Sequence, residues 1–173
     1  MSAMFVPAEP RFAIHRSEYA LDPITCAPTK LSAENSSIGE DGASFINVLV
    51  MTHSGKSDKP GMVWVWAQVT PGRRARTAAM TNLALSMPPS SGFHTRASAS
   101  QLMGAGAADD PTVDIARRLS SRFKRPIFVS LNNVSTSRLT TSAAGPSLAL
   151  SMAQADELVA LESCLVAELK QAL

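Results

Sequence analysis

The hydrophobic pattern is sharpest between Asp110 and Asn133, which reads DPTVDIARRLSSRFKRPIFVSLNN. Ile115, Leu119 and Phe123 recur at i, i+4 and i+8 with Ala116 beside them, so they share one face of a helix. Asp114, Arg117, Arg118, Ser121 and Lys124 fall on the other side. Asp110 is a good N-cap, and Pro111 suits the first helical position, where its missing N–H leaves no bond unmade. Lys124 and Arg125 lie at the end where the helix dipole favours cations, and Pro126 stops the helix. Ile127, Phe128, Val129 and Leu131 then form a β-prone run. The pattern predicts a helix over 111–125 that packs on a sheet and feeds directly into a strand over 127–132.

Elsewhere the period alternates between two and helical. Residues 1–10, with Pro7 and Pro10, predict a loose terminus, and Arg11 to Arg16 predicts a short half-buried strand. Residues 21–43 hold Pro23, Pro28, Gly39 and Gly42 among polar residues and predict a long mobile loop. Phe45–Met51 and Met62–Val69 (MVWVWAQV) are strong strands joined as a hairpin across the polar turn 52–61. Pro71-Gly72 breaks the chain, and Arg76–Met87 carries Ala79, Met80, Leu83, Ala84 and Met87 at helical spacing before Pro88-Pro89. Phe93–Met103 predicts a strand near its end, followed by a small-residue loop over Gly104–Ala108. Beyond 132 the pattern predicts a Ser/Thr-rich mobile loop over 134–146, a strand over Ser147–Met152 and a helix over Gln154–Ala172. The stripe of that helix is Leu158, Leu161, Leu165 and Leu169. The predicted order is β-β-β-α-β-α-β-β-α. More strands adjoin one another than a βαβ series would give, so the expected fold class is α+β. It is a single domain over 1–173, with an antiparallel sheet of about six strands and about three packed helices.

With 173 residues, 45% apolar and 17% charged, the composition is that of one globular domain with a proper core. A net charge of +2 is too small to argue for nucleic acid. Cys26 and Cys164 form no CxxC pair and no disulfide framework, which fits a reducing compartment. The charged residues Glu9, Arg11, Arg16 and Glu18 leave no signal-peptide core, and no apolar run approaches the ~20 residues needed to span a bilayer. The expected address is the cytoplasm, with the nucleus as a second.

Candidate chemistry is sparse. His15, His53 and His94 have no Cys or carboxylate at metal-ligand spacing, and no G-x-S-x-G elbow is present, so no catalytic residue, metal or cofactor is expected. Gly104-Ala105-Gly106 could cradle a phosphate within a 104–110 loop, but the third glycine of a dinucleotide fingerprint is missing; a plain loop is the competing reading. Trp64 and Trp66 share one face of their strand while Val63, Val65 and Ala67 fill the other. Either helices bury both faces, or one face meets another protein. Arg117, Arg118, Arg122, Lys124 and Arg125 make a basic helix face that is either simply solvated, or a nucleic-acid patch without aromatics to stack bases, or a surface for an acidic protein partner.

The order and spacing of these blocks carry a resemblance. From Phe45 onward, MVWVWAQV, then TNLALSM, ASQLMG, the acidic loop, DIARRLSSRFKR and PIFVSLNN resemble the proteasome assembly chaperone 4 family. Against that family, residues 1–43 form a variable N-terminal strand and loop, 44–173 the chaperone-like core, and 21–43 and 134–146 are insertions. The resemblance implies a non-enzymatic protein that pairs with a related subunit, proteasome assembly chaperone 3. The pair would hold α-type subunits of the 20S proteasome while their ring forms, with no nucleic acid and no membrane involved. The residues expected to meet partners are Trp64, Trp66, Arg117, Arg118 and Lys124.

Overall fold

The computed structural model describes residues 11–32, 43–54, 60–72, 80–89, 96–104, 110–132 and 148–173. The elements are β1 (Arg11–Leu21), β2 (Pro28–Lys30), β3 (Ser44–Ser54), β4 (Pro60–Pro71), β5 (Leu83–Met87), β6 (Ser98–Met103), α1 (Thr112–Phe123), β7 (Ile127–Asn132) and α2 (Leu148–Ala172). The strands form a seven-stranded sheet in the order β2-β1-β3-β4-β7-β5-β6.

The long hairpin β3–β4 is its spine. Val48 lies opposite Ala67 and Val50 opposite Val65, so the β-branched residues of both strands fall on one side. Ile127, Val129 and Leu131 of β7 continue that side, beside Val63, Val65 and Ala67. Both helices pack there: α1 on β5, β6 and β7, and α2 on β1, β2 and β3. Ile115 and Leu119 from α1 and Leu161, Leu165 and Leu169 from α2 are almost fully buried against these strands, with Phe123 and Leu158 packed at the margin. Both predicted helical stripes therefore face the core.

Four expectations are overturned. The sheet is mixed, because β4 and β7 run parallel while every other pair is antiparallel. Parallel neighbours need a long crossover, and here the chain from 72 to 126, with β5, β6 and α1, supplies it. The helix expected over 76–87 is not formed at its end, where Leu83–Met87 is β5, bonded between β6 and β7. LALSM suits either period, and tertiary pairing decides. Thr81 donates its N–H and Oγ1 to Asn132 Oδ1 at 3.1 and 2.7 Å, which fixes the entry to β5 beside β7. The strand expected over 147–152 is instead the first turns of α2. Leu, Ala, Met and Gln are strong helix formers, and nothing between 148 and 172 is Gly or Pro. The total is thus seven strands and two helices, in place of about six and three.

Residues 21–43 are not one loop. Leu21 closes β1, and β2 pairs with it through Tyr19–Lys30 and Leu21–Pro28. The turn between them is organised by Asp22, whose Oδ1 accepts the N–H groups of Ile24 and Thr25 and the Thr25 hydroxyl. β1 also extends past the predicted 11–16, since it pairs with β3 along its whole length. The expectations for 1–10, for the hairpin tip 55–59 and for the loop 134–146 fall outside the described residues.

A buried polar cluster fastens α2 to β1 and β2. Glu168, 2% exposed, accepts the Tyr19 hydroxyl at 2.5 Å and the Lys30 ammonium at 2.6 Å. Lys30 also donates to Gln171 Oε1 at 3.2 Å. Burial alone pushes the Glu168 carboxyl up, but the hydrogen bonds from Lys30, Tyr19 and Ser17 outweigh it and hold the group below the usual carboxylate range. Burial, then the bond to Glu168, pushes the Tyr19 phenol well above its ordinary value.

Candidate partner-docking face

Both described helices lie on one side of the sheet, and among the described residues no helix lies over the other side. Strand register sets what it shows. Ile14 lies opposite Met51, Met51 opposite Trp64, Trp64 beside Phe128, and Phe128 opposite Leu85, one apolar row across five strands. Trp64 and Phe128 stack, with ring centroids 5.1 Å apart and planes 15° from parallel. Phe12 packs its ring against His53 at 4.9 Å. Phe12 is 66% and Ile14 63% exposed, and Met62 and Met87 are nearly half exposed. Met51, Trp64, Trp66, Phe128 and Leu85 are half-buried. Phe12, Ile14, Met62 and Met87 thus leave apolar side chains exposed at this end of the face.

The predicted alternation of β4 therefore holds, with Val63, Val65 and Ala67 buried under the helices and Trp64 and Trp66 on the open side. Among the described residues, helices bury only the Val63, Val65 and Ala67 face of this strand. Sequence reasoning missed Ile14, Met51, Phe128 and Leu85. Each belongs to a different strand, and only the pairing order aligns them. Toward the other end the same face turns polar and buried at Asn47, Ser130 and Asn132. There, Asn47 Nδ2, Ser130 Oγ and Asn132 Nδ2 find no hydrogen-bond partner among the described residues.

The basic side of α1 is on the opposite surface of the molecule. Arg117 Nη1 contacts Asp114 Oδ1 at 2.6 Å within the helix. Arg118 reaches Glu162 of α2 with two bonds, Nε to Oε1 at 3.0 Å and Nη2 to Oε2 at 2.8 Å. The cations are therefore better balanced than the sequence of α1 implies, because Glu162 arrives from another helix. Lys124 is exposed and closes α1 in the left-handed conformation (φ 56°, ψ 39°), its N–H bonded to the Ser120 carbonyl. At the other end of α1, Asp110 Oδ1 accepts the Thr112 N–H at 2.9 Å, but the N-cap position falls on Pro111, one residue later than the sequence predicts, because the Pro111 carbonyl accepts the first helical bond, from Ile115. The structure thus brings Trp64 and Trp66 together on one surface and places Arg117, Arg118 and Lys124 on another.

The glycine loop has a structural account at its one described residue. Gly104 has φ 125°, and a Cβ there would lie 2.5 Å from Gln101 Nε2 and 3.1 Å from Asn82 Oδ1. A side chain is excluded by crowding and by backbone conformation, so this glycine serves the exit from β6. Among the described residues no three His, Cys, Asp or Glu side chains gather to hold a metal, and no helix is long and apolar enough to cross a membrane.

Comparison with known proteins adds three findings. No curated protein matches the chain. A crystal structure of a chaperone complex for yeast 20S proteasome assembly has a similar chain at 12% identity. The likeness covers 91% of this chain and 96% of that one, with a TM-score of 0.47. The model of the proteasome assembly chaperone 4 family matches residues 47–132, the stretch that runs from β3 through β4, β5, β6 and α1 to the end of β7. Over that stretch the chain is similar to the proteasome assembly chaperone 4 family.

Proposed function

We propose that this protein is a non-enzymatic chaperone of 20S proteasome assembly, working in the cytoplasm or nucleus. It pairs through its open sheet face with a related subunit of the proteasome assembly chaperone 3 kind. The pair then holds proteasome α-type subunits while their ring forms. Likeness to the proteasome assembly chaperone 4 family over residues 47–132 supports the assembly role. The observation that carries the pairing is the apolar row Ile14–Met51–Trp64–Phe128–Leu85, which lies on the helix-free side and carries the stacked pair at its centre. A second sheet laid over this row would bury it as two sheets do in a sandwich, with inner faces about 10 Å apart. A stable interface of this kind buries roughly 1,600 Å² in total.

The test is co-expression with a chaperone 3-like subunit. The two chains should elute as a 1:1 complex, and Trp64→Thr should weaken it. Threonine keeps the β-strand preference while removing the ring at the centre of the row. Loss of a central aromatic contact of this kind costs about 2 kcal/mol or more, roughly a thirtyfold weaker complex. A variant with native circular dichroism and undiminished pairing would show that the sheet face is not the interface.

A further inference from the structure

The helix side carries a second surface of different chemistry. A groove of about 400 Å³ runs between Arg96-Ala97, just before β6, and the outer face of α1. Its lining is Arg96, Ala97, Arg117, Arg118, Ser121 and Arg122. Arg117 and Ser121, and Arg118 and Arg122, stand at i, i+4, so two adjacent rows of α1 form one wall. The opposite wall places Arg96 across from them. Among the described residues no aromatic side chain lines the groove, and four of its six lining residues are arginines.

Four guanidinium groups meet two carboxylates here, Asp114 on Arg117 and Glu162 on Arg118. Arg96 and Arg122 are exposed and have no ion-pair partner among the described residues. Among the described residues two positive charges are left unanswered in this groove, where low-dielectric walls concentrate the field. The Arg118–Glu162 pair shows the geometry on offer, a guanidinium fork closing on both oxygens of one carboxylate.

We infer that this groove binds an acidic peptide segment of a partner protein, one presenting two carboxylates to Arg96 and Arg122. The guanidinium fork matches a carboxylate, and two free forks match a closely spaced pair of them. Single-stranded nucleic acid fits less well, because its affinity depends on aromatic platforms that the described lining lacks. The groove and the apolar row lie on opposite faces of the sheet, so a molecule paired through the row can still take an acidic segment. The inference stands whether or not the pairing reading does.

The probe is a fluorescent peptide rich in Glu and Ser, titrated by anisotropy into the full chain. Binding should be saturable and should weaken as salt rises through the physiological range. Arg96→Ala and Arg122→Ala should each weaken it about tenfold, the scale of one charge-assisted contact. Lys124→Gly removes an equal charge outside the groove and should change affinity less than about twofold. If an alanine variant fails to fold, lysine at the same position keeps the charge but loses the fork, and a clear loss of affinity is again expected. Absence of saturable binding overturns the inference, as does an effect of Lys124→Gly equal to that of the arginine variants. A single-stranded oligonucleotide of equal charge that binds more tightly than the peptide, through the same arginines, would reassign the groove to nucleic acid.

Discussion

At Lys124 a single backbone angle makes a prediction. The residue holds φ 56° to end α1, and its side chain is exposed and makes no ion pair among the described residues. A non-glycine residue in this region carries a penalty that glycine does not. Lys124→Gly should therefore raise stability by about 0.5–1 kcal/mol, seen as a higher melting temperature. A fall would show that the lysine stem packs on the helix end. Arg118 behaves differently. Its double bond to Glu162 ties α1 to α2, although at partial exposure such a tie stabilises by about 1 kcal/mol or less. Reversing its charge would loosen helix docking as well as any binding, so Arg96 and Arg122 are the cleaner probes of the groove.

Among the elements, α2 has the most pH-sensitive attachment. Leu161, Leu165 and Leu169 supply an apolar stripe that is indifferent to pH, whereas Glu168 supplies a charge. Its carboxyl is held below the ordinary value of 4.5, so the native state favours the ionised form. The stability this contributes is fully present above about pH 4.5 and is lost as pH falls through the depressed native value. Glu168→Gln should melt lower than the parent at neutral pH, by about 2 kcal/mol, because Lys30 and Tyr19 lose a charged acceptor. Lys30 is 44% exposed, and water softens its share of the loss. The two melting curves should converge as pH falls through the depressed native value; a constant gap would mean that Glu168 acts by shape rather than charge.

For the molecule as a whole, α1 and α2 close one face of the sheet, and the other face carries an exposed apolar row toward one end. The closed face can be followed through Cys164, which is 2% exposed. Burial, with a smaller contribution from Glu168, pushes its thiol up to about 12, so it stays protonated and unreactive. Cys26, in the β1–β2 turn, is half-exposed, with its pKa raised by burial and then by Asp156, Glu157 and Asp22. A thiol reagent at mildly alkaline pH should modify Cys26 first and Cys164 only at the rate of global unfolding. Simultaneous reaction of both would mean that α2 leaves the sheet in a low-energy local opening. The open face makes the opposite demand. Purified alone, the chain should self-associate through Trp64 and its neighbours, and a stable monomer by sedimentation would count against a docking face.

The sequence by itself determined what is local. The 3.6-residue stripes of α1 and the second half of α2, the alternation of β3, β4 and β7, and the stop at Pro126 all follow from side-chain periodicity and backbone restriction. Tertiary structure decided whatever depends on a neighbour. LALSM at 83–87 fits a helix or a strand and became β5 because β7 and β6 offer hydrogen bonds on either side. Leu148–Met152 alternates weakly and joined α2 because good helix formers continue into it without a break. The parallel β4–β7 contact cannot be read from either strand, since direction is set by the path of the chain between them. The candidate site divides in the same way. Trp64 and Trp66 were legible as sharing one face, because alternation within a strand is local. Ile14, Met51, Phe128 and Leu85 join Trp64 only through strand order and register, and Arg96 meets Arg122 only because β6 and α1 pack together. Which side of the sheet stays open depends on where the helices settle, and both settle over Val63, Val65 and Ala67 because that face offers the smooth β-branched surface their leucine and isoleucine stripes can bury.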